Sequence, residues 1–153
     1  MKLLLALPVL LAASAASAAC EAVTAGDLVV SGAWSRASFS ADRPGVVYLT
    51  ISNDGAEKDV LTGLATLAAA MPMLHETVVK DDVASMPHVM AIPVPPGSTV
   101  ELAPGGFHAM LMDLAAPLEE GASFPVTLTF ERAGEVVIEA EVLPLASKGP
   151  DCG

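Results

Sequence analysis

The chain has 153 residues and a formal net charge of -11 at pH 7, and 53% of its residues are hydrophobic. With 18 acidic residues against 7 basic ones, it has no basic surface that would neutralise phosphates, which excludes nucleic acid and anionic membrane surfaces as partners. The length is sufficient for one domain with a buried core.

The N-terminal segment predicts export. A basic residue precedes an apolar stretch at residues 3–12, and the small residues 16–18 (ASA) form a cleavage site. The stretch is too short to span a bilayer as a helix, so we interpret residues 1–19 as a cleaved signal peptide. Cys20 follows at once, which makes a lipid anchor on this residue an alternative. A lipid attachment signal prefers Leu where Ser17 stands, and this disfavours the anchor.

The following segments alternate short extended runs with turn residues. Strands are predicted near residues 28–34, 46–51 and 60–64, and the turn signal Asn53-Asp54-Gly55 separates the last two. Residues 61–71 also carry apolar side chains at helical spacing, so this segment predicts one or two helical turns at most, or none.

The second half of the chain continues the same pattern. Strands are predicted at residues 98–102 and 107–114, and a hairpin joins residues 124–132 to residues 135–142. We therefore expect a single all-β domain at residues 20–146, a sandwich or barrel of about seven strands. Residues 147–153 form a short polar tail.

Two cysteines, Cys20 and Cys152, lie at opposite ends of the exported chain. Proteins outside the cytoplasm meet oxidising conditions, which favour disulfides. A bridge between the termini needs their Cα atoms within about 7 Å. The sequence does not decide between this bridge and two separate cysteines.

The histidines and methionines are concentrated in one window. The chain has three histidines and seven methionines, and every methionine except Met1 lies between residues 71 and 112. Imidazole nitrogen and thioether sulfur, with no thiolate in the window, form a ligand set that suits Cu(I). Thioethers also avoid the disulfide formation that would disable a cysteine pair in an oxidising compartment.

Four residues of this window have the spacing of one metal site. His108 and Met110 are two residues apart on a predicted strand and therefore share a face, whereas residues 107, 109 and 111 face the core. His75 ends another apolar run, and Met86 lies in a loop-like stretch at residues 81–87. We predict that these four side chains bind one Cu(I) ion.

The remaining residues of the window form two further pairs with the same spacing. They are His88 with Met90 and Met71 with Met73. They are either auxiliary ligands or local composition. The second interpretation is favoured because sites for first-row metals rarely need more than four ligands.

The chain resembles the periplasmic copper chaperones of the PCuAC family. The resemblance is carried by the spacing of His75, Met86, His108 and Met110, and it covers nearly the whole exported domain. The surrounding motifs are also similar: WSR at 34–36, VYL at 47–49, LHE at 74–76, PGGFHAMLM at 104–112, PLEEG at 117–121 and LTF at 128–130.

The resemblance implies a periplasmic, monomeric protein with a cupredoxin-like or immunoglobulin-like Greek-key β-sandwich that holds one Cu(I) ion. It implies His75, Met86, His108 and Met110 as the ligands. It further implies that the protein delivers copper to an acceptor such as cytochrome c oxidase subunit II, directly or with a thioredoxin-like assembly factor.

Other functions fit the residues less well. An enzyme is not expected, because no nucleophile triad or nucleotide-binding loop is recognisable. A cupredoxin-like electron carrier needs a cysteine thiolate beside two histidines, and both cysteines are terminal. A metal-free β-sandwich interaction module remains as a third alternative.

Overall fold

The computed structural model describes residues 17–152, and over this range the chain is built almost entirely from β-strands. Most of the predicted signal peptide, residues 1–16, lies outside the described residues. A short 3-10 helix at Ala18–Cys20 precedes twelve strands. They are β1 Ala22–Ala25, β2 Leu28–Arg36, β3 Gly45–Asn53, β4 Asp59–Ala65, β5 Ala69–Glu76, β6 Val78–Lys80, β7 Val83–Ser85, β8 Ile92–Val94, β9 Thr99–Leu102, β10 Phe107–Leu114, β11 Ser123–Phe130 and β12 Gly134–Leu143.

The seven strands that the sequence predicts correspond to β2, β3, β4, β9, β10, β11 and β12, whereas β5 was not predicted as a strand. Strands β2, β3, β4, β5, β10, β11 and β12 have seven to ten residues each. Of the five shorter strands, β9 lies inside the sheet between β10 and β3, whereas β6 and β7 are exposed over their whole length. Along β11 and β12, buried side chains alternate with more exposed ones, so one face of each strand packs on the core, as expected for an antiparallel pair.

Ten strands form one continuous sheet in the order β5-β10-β9-β3-β2-β12-β11-β4-β8, with β1 paired to β2, and β6 and β7 form a separate hairpin. The large sheet curls so that β4 and β5 come into contact. A single hydrophobic core fills the interior, and Leu49, Ile51, Leu61, Leu111 and Leu128 are among its largest buried side chains. The fold is all-β and cupredoxin-like, as predicted.

The helical turns that the sequence permits at residues 61–71 do not form. Residues 61–65 belong to β4 and pair with β11, and residues 69–71 belong to β5 and pair with β10. The hydroxyl of Thr66 accepts a hydrogen bond from the Ala68 N–H and donates one to the Pro125 carbonyl. These two bonds hold the turn between β4 and β5. Pairing on both sides overrides the helix propensity of this segment.

A disulfide joins Cys20 to Cys152, and their Cα atoms are 5.4 Å apart. This answers the question that the sequence left open. The bond connects the start of the domain to the tail, and the Arg36 guanidinium also donates a hydrogen bond to the Ser147 carbonyl. Within residues 17–152, no helix has the length and apolar character needed to cross a membrane.

A buried carboxylate organises the turn between β11 and β12. Asp59 is 4% exposed, and its Oδ1 accepts hydrogen bonds from the N–H groups of Val60 and Arg132, at 2.7 and 3.0 Å. Its Oδ2 accepts a third from Ala133 at 2.9 Å. Burial by itself raises the pKa of this carboxyl, but the three N–H donors and the Arg132 charge lower the pKa below its usual value.

We expect Asp59→Asn to lower the free energy of unfolding by about 2 kcal/mol at pH 7, because the new amide N–H groups would face the backbone N–H of Ala133. Since the folded-state pKa is depressed, the carboxylate stabilises the fold at neutral pH, and this contribution disappears as the pH falls through the folded pKa. Urea unfolding at several pH values would show the gap between wild type and variant closing below about pH 4. A gap that is independent of pH would contradict this role.

Candidate metal centre

His75 and His108 face each other across two adjacent strands. They are direct partners in the antiparallel pairing of β5 with β10. Their ring centroids are 5.8 Å apart, with 29° between the ring planes. Metal–nitrogen bonds of about 2.0–2.1 Å place two imidazoles on one ion with ring centroids about 5–6 Å apart. The two rings therefore have the separation that a shared ion requires.

A backbone carbonyl orients each of these two rings. His75 Nδ1 donates to the Met86 carbonyl at 2.9 Å, and His108 Nδ1 donates to the Gly106 carbonyl at 3.1 Å. A carbonyl only accepts, so Nδ1 carries the proton in both neutral rings and Nε2 keeps its lone pair. Metal-binding histidines are commonly held in this way by their second nitrogen.

The free nitrogen of His75 has no partner. Its Nε2 is buried and, among the described residues, makes no hydrogen bond. An unpaired buried nitrogen costs about 1–3 kcal/mol. His108 is only 5% exposed, although it lies on the face of β10 opposite the core residues Ala109 and Leu111. The two imidazoles thus form a partly enclosed pair. The Nε2 of His75 has a lone pair that no hydrogen bond uses and that a metal ion can accept.

Met110 lies on the same face, one step further along β10. It is partly buried, and its partners are Met73 on β5 and Val46 on β3. The tight turn before the strand is made by Gly105, whose φ is +87°. As the sequence predicts, Ala109 and Leu111 are fully buried on the other face.

The Met86 carbonyl reaches the His75 ring through a hairpin that the sequence analysis treated as a loop. Strands β6 and β7 pair with Lys80 opposite Val83, which leaves Asp81 and Asp82 as a two-residue turn, both with positive φ. This is the backbone of a type I′ turn, in which Asp is tolerated. The two consecutive aspartates between short segments that contain β-branched valines, Val78-Val79 and Val83, were the missed signal. The hairpin returns the chain so that the Met86 carbonyl meets the His75 ring, while the Met86 side chain is 53% exposed.

His88 also lies beside this pair, although it is not one of the four predicted ligands. His88 forms an isolated antiparallel bridge with His75, and their ring centroids are 5.7 Å apart. Its segment is held to the outer edge of β5 by two hydrogen bonds, from the Glu76 N–H to the Pro87 carbonyl and from the Val89 N–H to the Leu74 carbonyl. His75 therefore has an imidazole on each side.

Two other kinds of metal site lack their ligands among the described residues. Between residues 17 and 152, no three side chains of His, Cys, Asp or Glu converge in a way that would hold an ion. Both cysteines are in the disulfide, so the thiolate that a blue-copper electron carrier needs is absent from this part of the chain. On this face the described residues offer thioether sulfur beside imidazole, since the two cysteines are bonded to each other.

Comparison with known proteins places the chain in a family. Residues 28–142 match the family model described as "Putative lipoprotein LpqE-like". The chain belongs to the LpqE-like family. Another protein similar to this LpqE-like chain, from Leifsonia xyli subsp. xyli, is named "Putative lipoprotein Lxx21020". It is 39% identical over 116 residues, which are 75% of this chain and 69% of that protein.

Solved structures similar to this LpqE-like protein include copper-binding domains. A copper-bound PCuAC domain from PmoF2 superposes with a TM-score of 0.70 and 28% identity, over 81% of this chain and 98% of that one. The Cu(I) form of DR1885 from Deinococcus radiodurans gives a TM-score of 0.62 and 29% identity, over 80% of each chain. The fold of the LpqE-like chain is that of these domains.

Proposed function

We propose that this protein is an exported Cu(I) chaperone of the PCuAC type. The observation that carries the proposal is the buried, unpartnered Nε2 of His75 opposite the His108 ring. Similarity to a copper-bound PCuAC domain and to Cu(I)-DR1885 supports copper as the cargo. A binding protein rather than an enzyme fits this site, because it offers ligands and no activated nucleophile.

We further propose that one Cu(I) ion is bound by His75, Met86, His108 and Met110. Two neutral imidazoles and two neutral thioethers match the preference of this soft ion and leave its charge unchanged. The ligands differ in exposure, from the 5% exposed His108 to the 53% exposed Met86. Exchange with an acceptor would therefore begin at Met86, which its surroundings hold least.

Delivery is proposed to follow ligand exchange in a transient complex. An acceptor such as cytochrome c oxidase subunit II, alone or with a thioredoxin-like assembly factor, would insert its own ligands before the last imidazole leaves, so that no free ion is released. A monomer working in the periplasm fits this role. The similarity to proteins named lipoproteins supports export.

The test is transfer of copper from the loaded protein. We expect Cu(I) to move to an apo copper-binding domain of oxidase subunit II, and Met86→Ala to weaken Cu(I) binding at least about 10-fold in competition with a chromophoric chelator. Met71→Leu, which changes an equally exposed methionine on β5, is the matched control and should bind like wild type. Copper that stays on the protein when a strong apo-acceptor is added would refute the chaperone function, and an absence of Cu(I) binding would favour the metal-free interaction module.

A further inference from the structure

The three histidines and three of the methionines of the described residues lie on three neighbouring segments of the chain. Across β10, β5 and the segment at residues 86–90, His108, His75 and His88 occupy successive positions of one row, because each neighbouring pair is in direct register. The next row contains Met110 opposite Met73. The pairing of His75 with His88, continued by two residues, places Met90 opposite Met73 on its other side.

The outer part of this region is a separate cleft. Met73, His88 and Met90 all line a cleft of about 150 Å³ at the outer edge of β5, together with residues 62–64 of strand β4. His108, Met110 and Met86 are not part of its lining. The cleft therefore contains one imidazole and two thioethers that the four-ligand site does not use.

Core packing does not explain two of these three side chains, His88 and Met90. Met90 is 80% exposed, and His88 is exposed as well. A methionine that fills a core is buried. A thioether exposed to water contributes neither core packing nor charge to an acidic surface. Exposed sulfur beside an exposed imidazole is instead the arrangement that a soft metal ion can use.

We propose that His88, Met90 and Met73 form a second Cu(I) site, one strand outward from the first. One imidazole and two thioethers provide the three ligands that Cu(I) accepts. The second ion would bind more weakly than the first, because its ligands are more exposed and because two cations separated by about one strand spacing repel. The net charge of -11 partly offsets that repulsion.

The site can be tested by stoichiometry. The protein is titrated with Cu(I) under anaerobic conditions in competition with bicinchoninate, and wild type is expected to bind two equivalents, the second at least about 10-fold more weakly. The double variant His88→Ala, Met90→Leu should bind one equivalent with unchanged affinity. Met71→Leu, on the same face of β5 but outside the cleft, should keep both.

A second measurement assigns the ligands. The methionine ε-methyl signals in NMR should move in two stages, with Met73 and Met90 responding to the second equivalent while Met71 does not. Saturation of wild type at one equivalent, or two equivalents retained by the double variant, would overturn the second site and leave the chaperone proposal intact. Failure to bind any Cu(I) would overturn both.

Discussion

Replacing His75 by alanine is expected to lower the affinity for Cu(I) at least about 100-fold, since loss of a residue that merely orients a ligand already costs 10–100-fold. Two effects combine in this variant. The buried Nε2 that lacks a partner is removed, and so is the Nδ1–H that holds the Met86 carbonyl beside the site. Competition with a Cu(I) chelator measures the loss.

The effect on folding should be small by comparison. We expect the unfolding free energy of apo His75→Ala to change by less than about 1.5 kcal/mol, because the lost hydrogen bond is offset by removal of an unsatisfied buried nitrogen. His88→Ala is the matched control, since it removes the imidazole on the other side of His75 and should keep the tight equivalent. If His75→Ala held copper as tightly as wild type, His75 would not be a ligand.

Removal of the disulfide is expected to produce the largest change in stability. Cys20 and Cys152 are 132 residues apart in sequence, and closing so long a loop restricts the unfolded chain strongly. We expect the double variant Cys20→Ser, Cys152→Ser to lose about 4 kcal/mol of unfolding free energy relative to the oxidised protein. Urea unfolding of the variant, and of wild type with and without reductant, measures this loss.

Copper binding provides the control for the same variant. The 3-10 helix that ends at Cys20 packs on β2 and β12, whereas the histidines lie on and beside β5 and β10. The double serine variant should therefore bind Cu(I) with the affinity of wild type under conditions in which it remains folded. Loss of binding would mean that the cysteines are ligands, and equal stability of the two proteins would mean that the bond does not form.

The strand carrying His108 was predictable because its pattern is local. Once residues 107–114 are recognised as a strand that follows two glycines, its two-residue period is sufficient to place His108 and Met110 on one face with Ala109 and Leu111 on the other. The fold class followed from short extended runs separated by turn residues along the chain. Residues 61–71 were ambiguous, because their apolar spacing suits a helix as well as two strands and only pairing with β10 and β11 decides.

The relation between His75 and His88 was not predictable from local pattern. It depends on the turn at Asp81-Asp82, on the register of β6 with β7, and on the continuation of that register into the bridge. A shift of one residue would turn His88 to the other face. Local spacing identified His88 and Met90 as a pair, but only the paired strands show which groups lie next to them.

The position of β5 in the sheet determines how the segment at residues 86–90 can open. It is the first strand of the sheet order, and residues 86–90 run along its outer edge, where Val89 packs against the core. Detaching this segment breaks three hydrogen bonds, two from the backbone and one from the His75 ring, and leaves the interior packed. Local openings of this kind need far less free energy than global unfolding. Under the proposed function, such an opening would free Met86 and the outer side of His75 from each other while the rest of the sheet stays paired.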